Sequence, residues 1–400
     1  MNYEGVIEQS SVGLKELVES GEEIIGYIYP HVPLELFMAH GFTPSLVRAL
    51  PGTSSGFEES LQTFACSYIR NLYSQRANGQ LLPLAGLLFP GNTCDALQNL
   101  GDIWRVRFPD DRVFRLTYPV TRYSQDESTT KFLAEELRIL SETIANTFNR
   151  PFLTESYDRA IELVQDFHAS AQFLYSARVV NPKIIPYSEV VRLIRTFLTA
   201  PTISSVSNIK DTAARVRVTS EDLGLVDMIE TVRLAITSGD YSGVKLPEDL
   251  ETPRVVIAGG MVEPQAIATL INDIPDISDS AIVLDLLSFG FKTAFTEAPS
   301  KSSDPYLAMA QSVLTAPGEP THEGLSYRMK AMKDLLSNLS IQGLMVCEQS
   351  FCDPDQFEAP SIERAASELG VKTVRVPLDP ELSDRGRIET RIQTFLDTLE

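Results

Sequence analysis

Apolar residues fall along this chain in two rhythms. Short unbroken runs, such as Ile24–Tyr29 ("IIGYIY") and Leu84–Phe89 ("LAGLLF"), are followed by a turn and then by apolar positions three and four apart. A short apolar run bounded by turn residues reads as a buried strand, and the wider spacing as one face of a helix. Repeated in that order, they make the βα unit of a doubly wound parallel sheet. The first part of the chain predicts a strand at Ile24–Tyr29, a two-proline loop and a short helix closed by Gly41. A helix follows, with Leu61, Phe64, Ala65, Tyr68, Ile69 and Leu72 on one face and Gly79 at its end. After the strand Leu84–Phe89 come a Pro-Gly-Asn turn, a helix from about Thr93 and a strand in "RVFRLTYPV".

From Arg254 the rhythm returns. "RVVIAGGMVEPQAIATLINDI" reads as strand, glycine turn and helix, and "AIVLDLL", "QGLMVC" and "VKTVRVPLD" as further strands. "MKAMKDLLSNLSI", "PSIERAASELG" and "GRIETRIQTFLDTL" read as helices between and after them. Residues 129–148 and 154–178 are strongly helical, with Thr154 as N-cap, and "YSEVVRLIRTFLTA" continues the helical stretch. Pro201–Asp211, "PTISSVSNIKD", reads as a polar break. The expected organisation is an α/β domain over 1–128, a helical middle over 129–250 and a second α/β domain over 251–400.

Composition narrows the function classes. A 43% hydrophobic content in 400 residues suits about two domains with sizeable cores. The net charge of −20 argues against nucleic-acid and anionic-membrane partners, both of which need basic surface. A local pocket for a small anion stays compatible with it. The start of the chain has no basic segment followed by an apolar run, and no stretch of ~18 apolar residues occurs, so neither a secretory leader nor a membrane span is expected. Four scattered cysteines make no disulfide framework, and a reducing, cytoplasmic location is the simpler expectation. There, cysteines are inert core residues or ligands of metals and redox groups.

Cys94 and Cys352 occupy equivalent places. Each follows an apolar strand and a turn, opens a helix and precedes an aspartate, in "NTCDAL" and "SFCDPD". Ligands of open α/β sheets bind beyond the carboxyl ends of the strands, where such loops lie. A helix N-terminus favours thiolate, the metal-binding form, so both thiols are expected to have depressed pKa values. Cys66 is a third candidate, from a helix of the first half. The spacings of 28 and 258 residues match no zinc-finger pattern, so ligands and small buried hydrophobes both remain open on spacing alone.

The words around the cysteines add a resemblance. "VPLELFMAHGFTP", "CSYIRN", "GLLFPGNTCDALQNLGDIWR", "SFCDPDQFEAP" and "GRIETRIQTFLDTL" together resemble the 2-hydroxyacyl-CoA dehydratase and benzoyl-CoA reductase family, in the family's order. The resemblance implies two flavodoxin-like domains, with a 4Fe–4S cluster in the cleft between them held by Cys66, Cys94 and Cys352. Cys347, at the end of the preceding strand, is a buried thiol near the cluster or a substitute fourth ligand. The implied chemistry is low-potential one-electron transfer to an acyl-CoA thioester. The implied partners are a homologous second subunit and a separate ATP-hydrolysing iron–sulfur activator, and the chain itself has no G-x₄-GK[ST] phosphate loop. Gly259–Gly260 stand where some relatives carry an extra cysteine, so a single cubane rather than a bridged double cluster is implied.

Such chemistry needs an acid or base. His31, Glu35 and His40 lie in the first βα loop and helix, with structural roles as the competing reading for each. Asp95 and Asp353 can orient the neighbouring cysteines or only complement the helix dipole. Arg70 and Arg105 can meet CoA phosphates or merely flank helices; Trp104 is expected in the core, and His168 and His322 carry no signal.

Overall fold

The computed structural model describes residues 14–52, 54–120, 127–246, 252–275 and 277–399. The first thirteen residues, where no leader is expected, and the expected domain limit at 250/251 lie outside this range. The first half is built from strands β1 (Ile24–Tyr27), β2 (Thr43–Leu46), β3 (Gly86–Gly91) and β4 (Val113–Thr117), in the order β2-β1-β3-β4, all parallel. Helix α1 (Leu34–Ala39) joins β1 to β2, α2 (Ser67–Ala77) lies between β2 and β3, and α3 (Asp95–Arg107) leads into β4. Every residue of β1 and β3 is buried. Helices cover both faces of such strands, which is why they read as unbroken apolar runs. The pattern predicts no strand at β2, because "TPSL" contains Pro44 and little apolar length. Proline removes a ladder donor and is tolerated on an edge strand, which is where β2 sits.

The second half repeats the plan. Strands β5 (Val255–Ala258), β6 (Ile282–Leu286), β7 (Gly343–Gln349) and β8 (Lys372–Leu378) pair in parallel in the order β6-β5-β7-β8. Both sheets therefore reverse direction at the same point, between their first and third strands. Two four-stranded parallel sheets with helices around them are consistent with two flavodoxin-like domains.

Five helices connect the sheets: α4 (Glu127–Phe148), α5 (Thr154–Val180), α6 (Tyr187–Thr199), α7 (Ile203–Asp222) and α8 (Val226–Ser238). The polar break expected at Pro201–Asp211 is wrong, because α7 starts inside it. Thr202 Oγ1 accepts from the Ser205 amide at 3.2 Å and the Thr202 amide donates to Ser205 Oγ at 2.9 Å, a reciprocal cap that starts a helix whose sequence is mostly polar. Buried Arg178 of α5 locks the connector to the second sheet, donating to the carbonyls of Pro182 at 2.9 Å and Asp279 at 3.0 Å. Trp104 is in the core as expected, its indole N–H donating to Asp111 at 2.8 Å. Among the described residues, no helix is long and apolar enough to cross a membrane.

The remaining second-half helices are α9 (Pro264–Asn272), α10 (Pro305–Thr315), α11 (Leu325–Asn338), α12 (Asp353–Ser367) and α13 (Arg385–Asp397).

Candidate functional site

Three helices begin on a cysteine. Cys66 is the N-cap of α2, Cys94 of α3 and Cys352 of α12. The turns after β3 and β7 each place a residue other than glycine in the left-handed region, Asn92 at φ 58° two positions before Cys94 and Phe351 at φ 60° immediately before Cys352. A bulky residue in that region costs about 1–3 kcal/mol and persists only where the surroundings hold it. Phe351 is held by Arg70 of α2, whose guanidinium lies 5.4 Å from its ring and 5.2 Å from that of Phe57.

The halves are fastened together beside these turns. The Ser67 amide donates to Ser350 O at 2.9 Å, and Gln349 Nε2 donates to Ser67 Oγ at 2.6 Å. Cys66 and Cys352, 286 positions apart in the sequence, are thereby brought into hydrogen-bond contact. The Cys66 sulfur accepts from the Cys352 thiol, which lowers the pKa of Cys66 and raises that of Cys352. Cys94 feels the charge of Cys66, but burial dominates and pushes its thiol up to about 12. The expectation of depressed pKa values thus fails for Cys94 and Cys352. The amides of Ala96 and Leu97 do favour Cys94 thiolate, as a helix N-terminus should, but desolvation outweighs them. Cys347 is fully buried in β7 and its pKa is raised by burial, then by Asp355, Glu348 and Asp285; none of the other thiols acts on it.

Among the described residues, no three His, Cys, Asp or Glu side chains converge tightly enough for a single metal ion. A four-iron cubane is a larger object, and to hold one Cys66 and Cys352 would have to part from their hydrogen-bond contact. The donor set suits it: three thiols on helix N-termini, whose positive ends favour an anionic group. Two buried hydrogen-bond donors beside the thiols, Thr93 Oγ1 and Arg70 Nε, have no partner.

The other expected site residues separate. Asp95 and Asp353 are exposed on their first helical turns. Asp355, two residues on and round the far side of the helix from Asp353, is the buried acid instead: it accepts from the Gln349 amide at 3.1 Å and hydrogen-bonds with Cys352. Burial pushes its carboxyl up to about 7. His40 caps the far end of α1, accepting and donating between Ser141 Oγ at 2.8 Å and Arg150 O at 2.9 Å, a structural role away from the thiols. His31 turns into the interface of the halves, where its Nε2 lies 3.0 Å from Glu319 Oε1. An ionised carboxylate only accepts, so Nε2 carries the hydrogen. Glu319 Oε2 takes further bonds from Ser288 Oγ at 2.8 Å and Lys292 Nζ at 3.4 Å, and Lys292 also donates to Gly259 O at 3.2 Å. Burial pushes the Glu319 carboxyl up, but Lys292, His31 and Ser288 together hold it down at about 2. Glu35 is buried in α1, its Oε1 has no partner, and burial raises its pKa to about 7.

Lys292 and Glu319 are invisible in the sequence, which offers no motif around them. His322, equally without a signal there, is buried 3.1 Å from Tyr29 of the first half. Beyond Gly259 and Lys292 opens a cleft of about 590 Å³, walled by Tyr241, Phe291, Phe295, Met329 and Met332.

The fold and site define an α/β protein of two parallel four-stranded sheets, in which Cys66 of the first half and Cys352 of the second are in hydrogen-bond contact. The chain belongs to the family described as 2-hydroxyglutaryl-CoA dehydratase, D-component, which matches residues 30–399. It is 19% identical over 386 residues to the (R)-phenyllactyl-CoA dehydratase beta subunit of Clostridium sporogenes, covering 96% of this chain and 94% of that one. It is 23% identical to a benzoyl-CoA reductase subunit of Thauera aromatica, covering 96% and 92%. It is 21% identical to the beta subunit of lactoyl-CoA dehydratase of Anaerotignum propionicum, covering 95% and 93%. A solved laminin-binding adhesin of Streptococcus agalactiae aligns with 95% of this chain and 100% of its own, but at 9% identity and a TM-score of 0.22, too low to bear on fold or function.

Proposed function

We propose that this chain is the iron–sulfur subunit of an ATP-dependent, low-potential radical enzyme acting on a CoA thioester, of the benzoyl-CoA reductase or 2-hydroxyacyl-CoA dehydratase type. The observation that carries the reading is the contact of Cys66 with Cys352 across the two halves, with Cys94 at a third helix N-terminus near enough to feel the charge of Cys66. These three would hold a 4Fe–4S cluster, with Cys347 outside the set. When bound, the cluster supplies one-electron transfer at low potential, with one iron open for a non-protein ligand.

This chain's own residues would do the rest. The cleft of about 590 Å³ is roomy and aromatic enough for an acyl group. Lys292, at its inner end and paired with Glu319, would supply a hydrogen-bond donor to a thioester oxygen bound there. Glu35, whose carboxyl burial raises to about 7, lines a different cavity from the cleft and would exchange a proton with substrate only through a relay such as His31. His31 holds Glu319, and through it Lys292, in place. The relatives named beta subunits support a second, homologous subunit as partner. ATP hydrolysis belongs to a separate activator, in keeping with a chain that lacks a phosphate loop.

The test is iron and acid-labile sulfide on anaerobically purified protein and its cysteine variants. About four irons per chain, lost in Cys66→Ala, Cys94→Ala and Cys352→Ala but kept in Cys347→Ala, is the expected result. A chain that stays iron-free after anaerobic reconstitution overturns the reading and leaves a cluster-free α/β binding protein. A cluster whose spectrum ignores acyl-CoA thioesters assigns this chain to electron relay or architecture in the same heteromer.

A further inference from the structure

A second cavity, of about 50 Å³, lies under α1 between β1, α5 and α6 and is separate from the large cleft. Three of its lining side chains present buried polar atoms with no hydrogen-bond partner: Tyr27 Oη from β1, Glu35 Oε1 from α1 and His168 Nδ1 from α5. All three side chains are at least nine-tenths buried. An unsatisfied buried polar group costs about 1–3 kcal/mol, so three around one void point to something that fills it. A water needs about 10–15 Å³ of such space and two or more polar partners, so this void has room for about three. It is too small for an acyl group or a nucleotide.

We propose that the Tyr27–Glu35–His168 cavity is an internal-water site that stores an exchangeable proton, joined through His31, which also lines it, to the buried Glu319–Lys292 pair between the halves. Glu35 is the group that holds the proton: burial raises its carboxyl to about 7, so near neutrality it is part neutral and part charged. His168 stays neutral there, because burial lowers its pKa to about 3. Tyr27 keeps its hydroxyl proton, its pKa being raised by burial. The other ionisable groups facing Glu35 are Tyr157 of α5, which feels its charge, and His31 and Glu297 on the cavity wall. The direct wiring of His31 Nε2 to Glu319 at 3.0 Å gives the site a polar exit toward the interface of the halves. The use of that proton in turnover rests on the proposed function; the water site itself does not.

The experiment uses the full chain, with no cluster required. In a high-resolution crystal structure, waters bridging Tyr27 Oη, Glu35 Oε1 and His168 Nδ1 are expected; a dry cavity overturns the proposal. In infrared difference spectra of wild type against Glu35→Gln, the protonated-carboxyl band of Glu35 should shift on exchange into heavy water and vanish as pH is raised through about 7. In Tyr27→Phe the band should survive to higher pH, because a donor to the water that bridges to the carboxylate is gone. A band insensitive to heavy water, or one lost in the ordinary carboxylate range, overturns the proposal even if a variant folds poorly. Loss of the cluster reading would leave these results untouched, and the reverse also holds.

Discussion

Glu319 is the test of how the two halves are held. It is fully buried, has no sequence neighbour that explains it, and joins His31 of the first half to Lys292 and Ser288 of the second. Its carboxyl sits at about 2 in the folded chain against an ordinary 4.5. Because the folded value is the lower one, the carboxylate adds stability that is fully present above about 4.5 and is lost as pH falls through about 2. At neutral pH that difference amounts to about 3 kcal/mol, the same size as the ~3–5 kcal/mol cost of removing one partner from a buried ion pair. Glu319→Gln keeps the shape and removes the charge. In urea unfolding followed by circular dichroism, the variant should lose about 3 kcal/mol at neutral pH with an unchanged m-value. The gap between wild type and variant should then narrow below about pH 4.5 and fall to roughly 1 kcal/mol near pH 3, as the wild-type carboxylate takes up its proton. A gap below about 1 kcal/mol at neutral pH, or one that does not change with pH, would refute the argument that the charge, rather than shape, fastens this interface.

Further outcomes follow from other contacts. Glu263→Gln should cost about 3–5 kcal/mol in the same assay, because it strands Arg48 and Arg195, two buried guanidinium groups from different parts of the chain that share its carboxylate. Gly259→Ala should destabilise by at least about 2 kcal/mol, since its new methyl collides with the Cys347 carbonyl oxygen, which belongs to a strand backbone and cannot swing aside. A thiol-reactive probe distinguishes the cysteines: on the folded chain at neutral pH, Cys66 should react faster than Cys347, whose thiol burial raises far out of the reactive range. Equal rates would contradict the hydrogen bond from Cys352 to Cys66.

Much of the architecture was legible because strands covered on both faces are written as unbroken apolar runs, as in β1, β3 and β7. Edge elements were not. Four residues of β2, one of them proline, carry too little apolar length to announce a strand, and α7 hides its start in serine and threonine that read as a loop until the Thr202–Ser205 cap is seen. Two of the N-cap cysteines, Cys94 and Cys352, could be found from strand, turn and helix order; Cys66 could not, because the helix expected with Leu61, Phe64 and Ala65 on its face starts only at Ser67 and leaves Phe64 exposed. Their acidic companion could not be placed as well: Asp353 stands next to Cys352, yet the helical turn sends it to solvent and brings Asp355 underneath. Glu319 and His322 lie in loops nearly 300 positions from their first-half partners, and Lys292 sits in an irregular turn 27 positions from Glu319; contacts over such separations leave no local trace.

The division of the thiols between the halves has one more consequence. Cys66 and Cys94 move with the first sheet and Cys352 with the second, so any change in the angle between the sheets alters two of the three distances between these thiols at once. A group bound to all three would act as a rivet, turning two bodies that could unfold separately into one cooperative unit. Insertion of that group and closure of the chain around it would then be a single event, and its removal would loosen the cleft well before either sheet came apart.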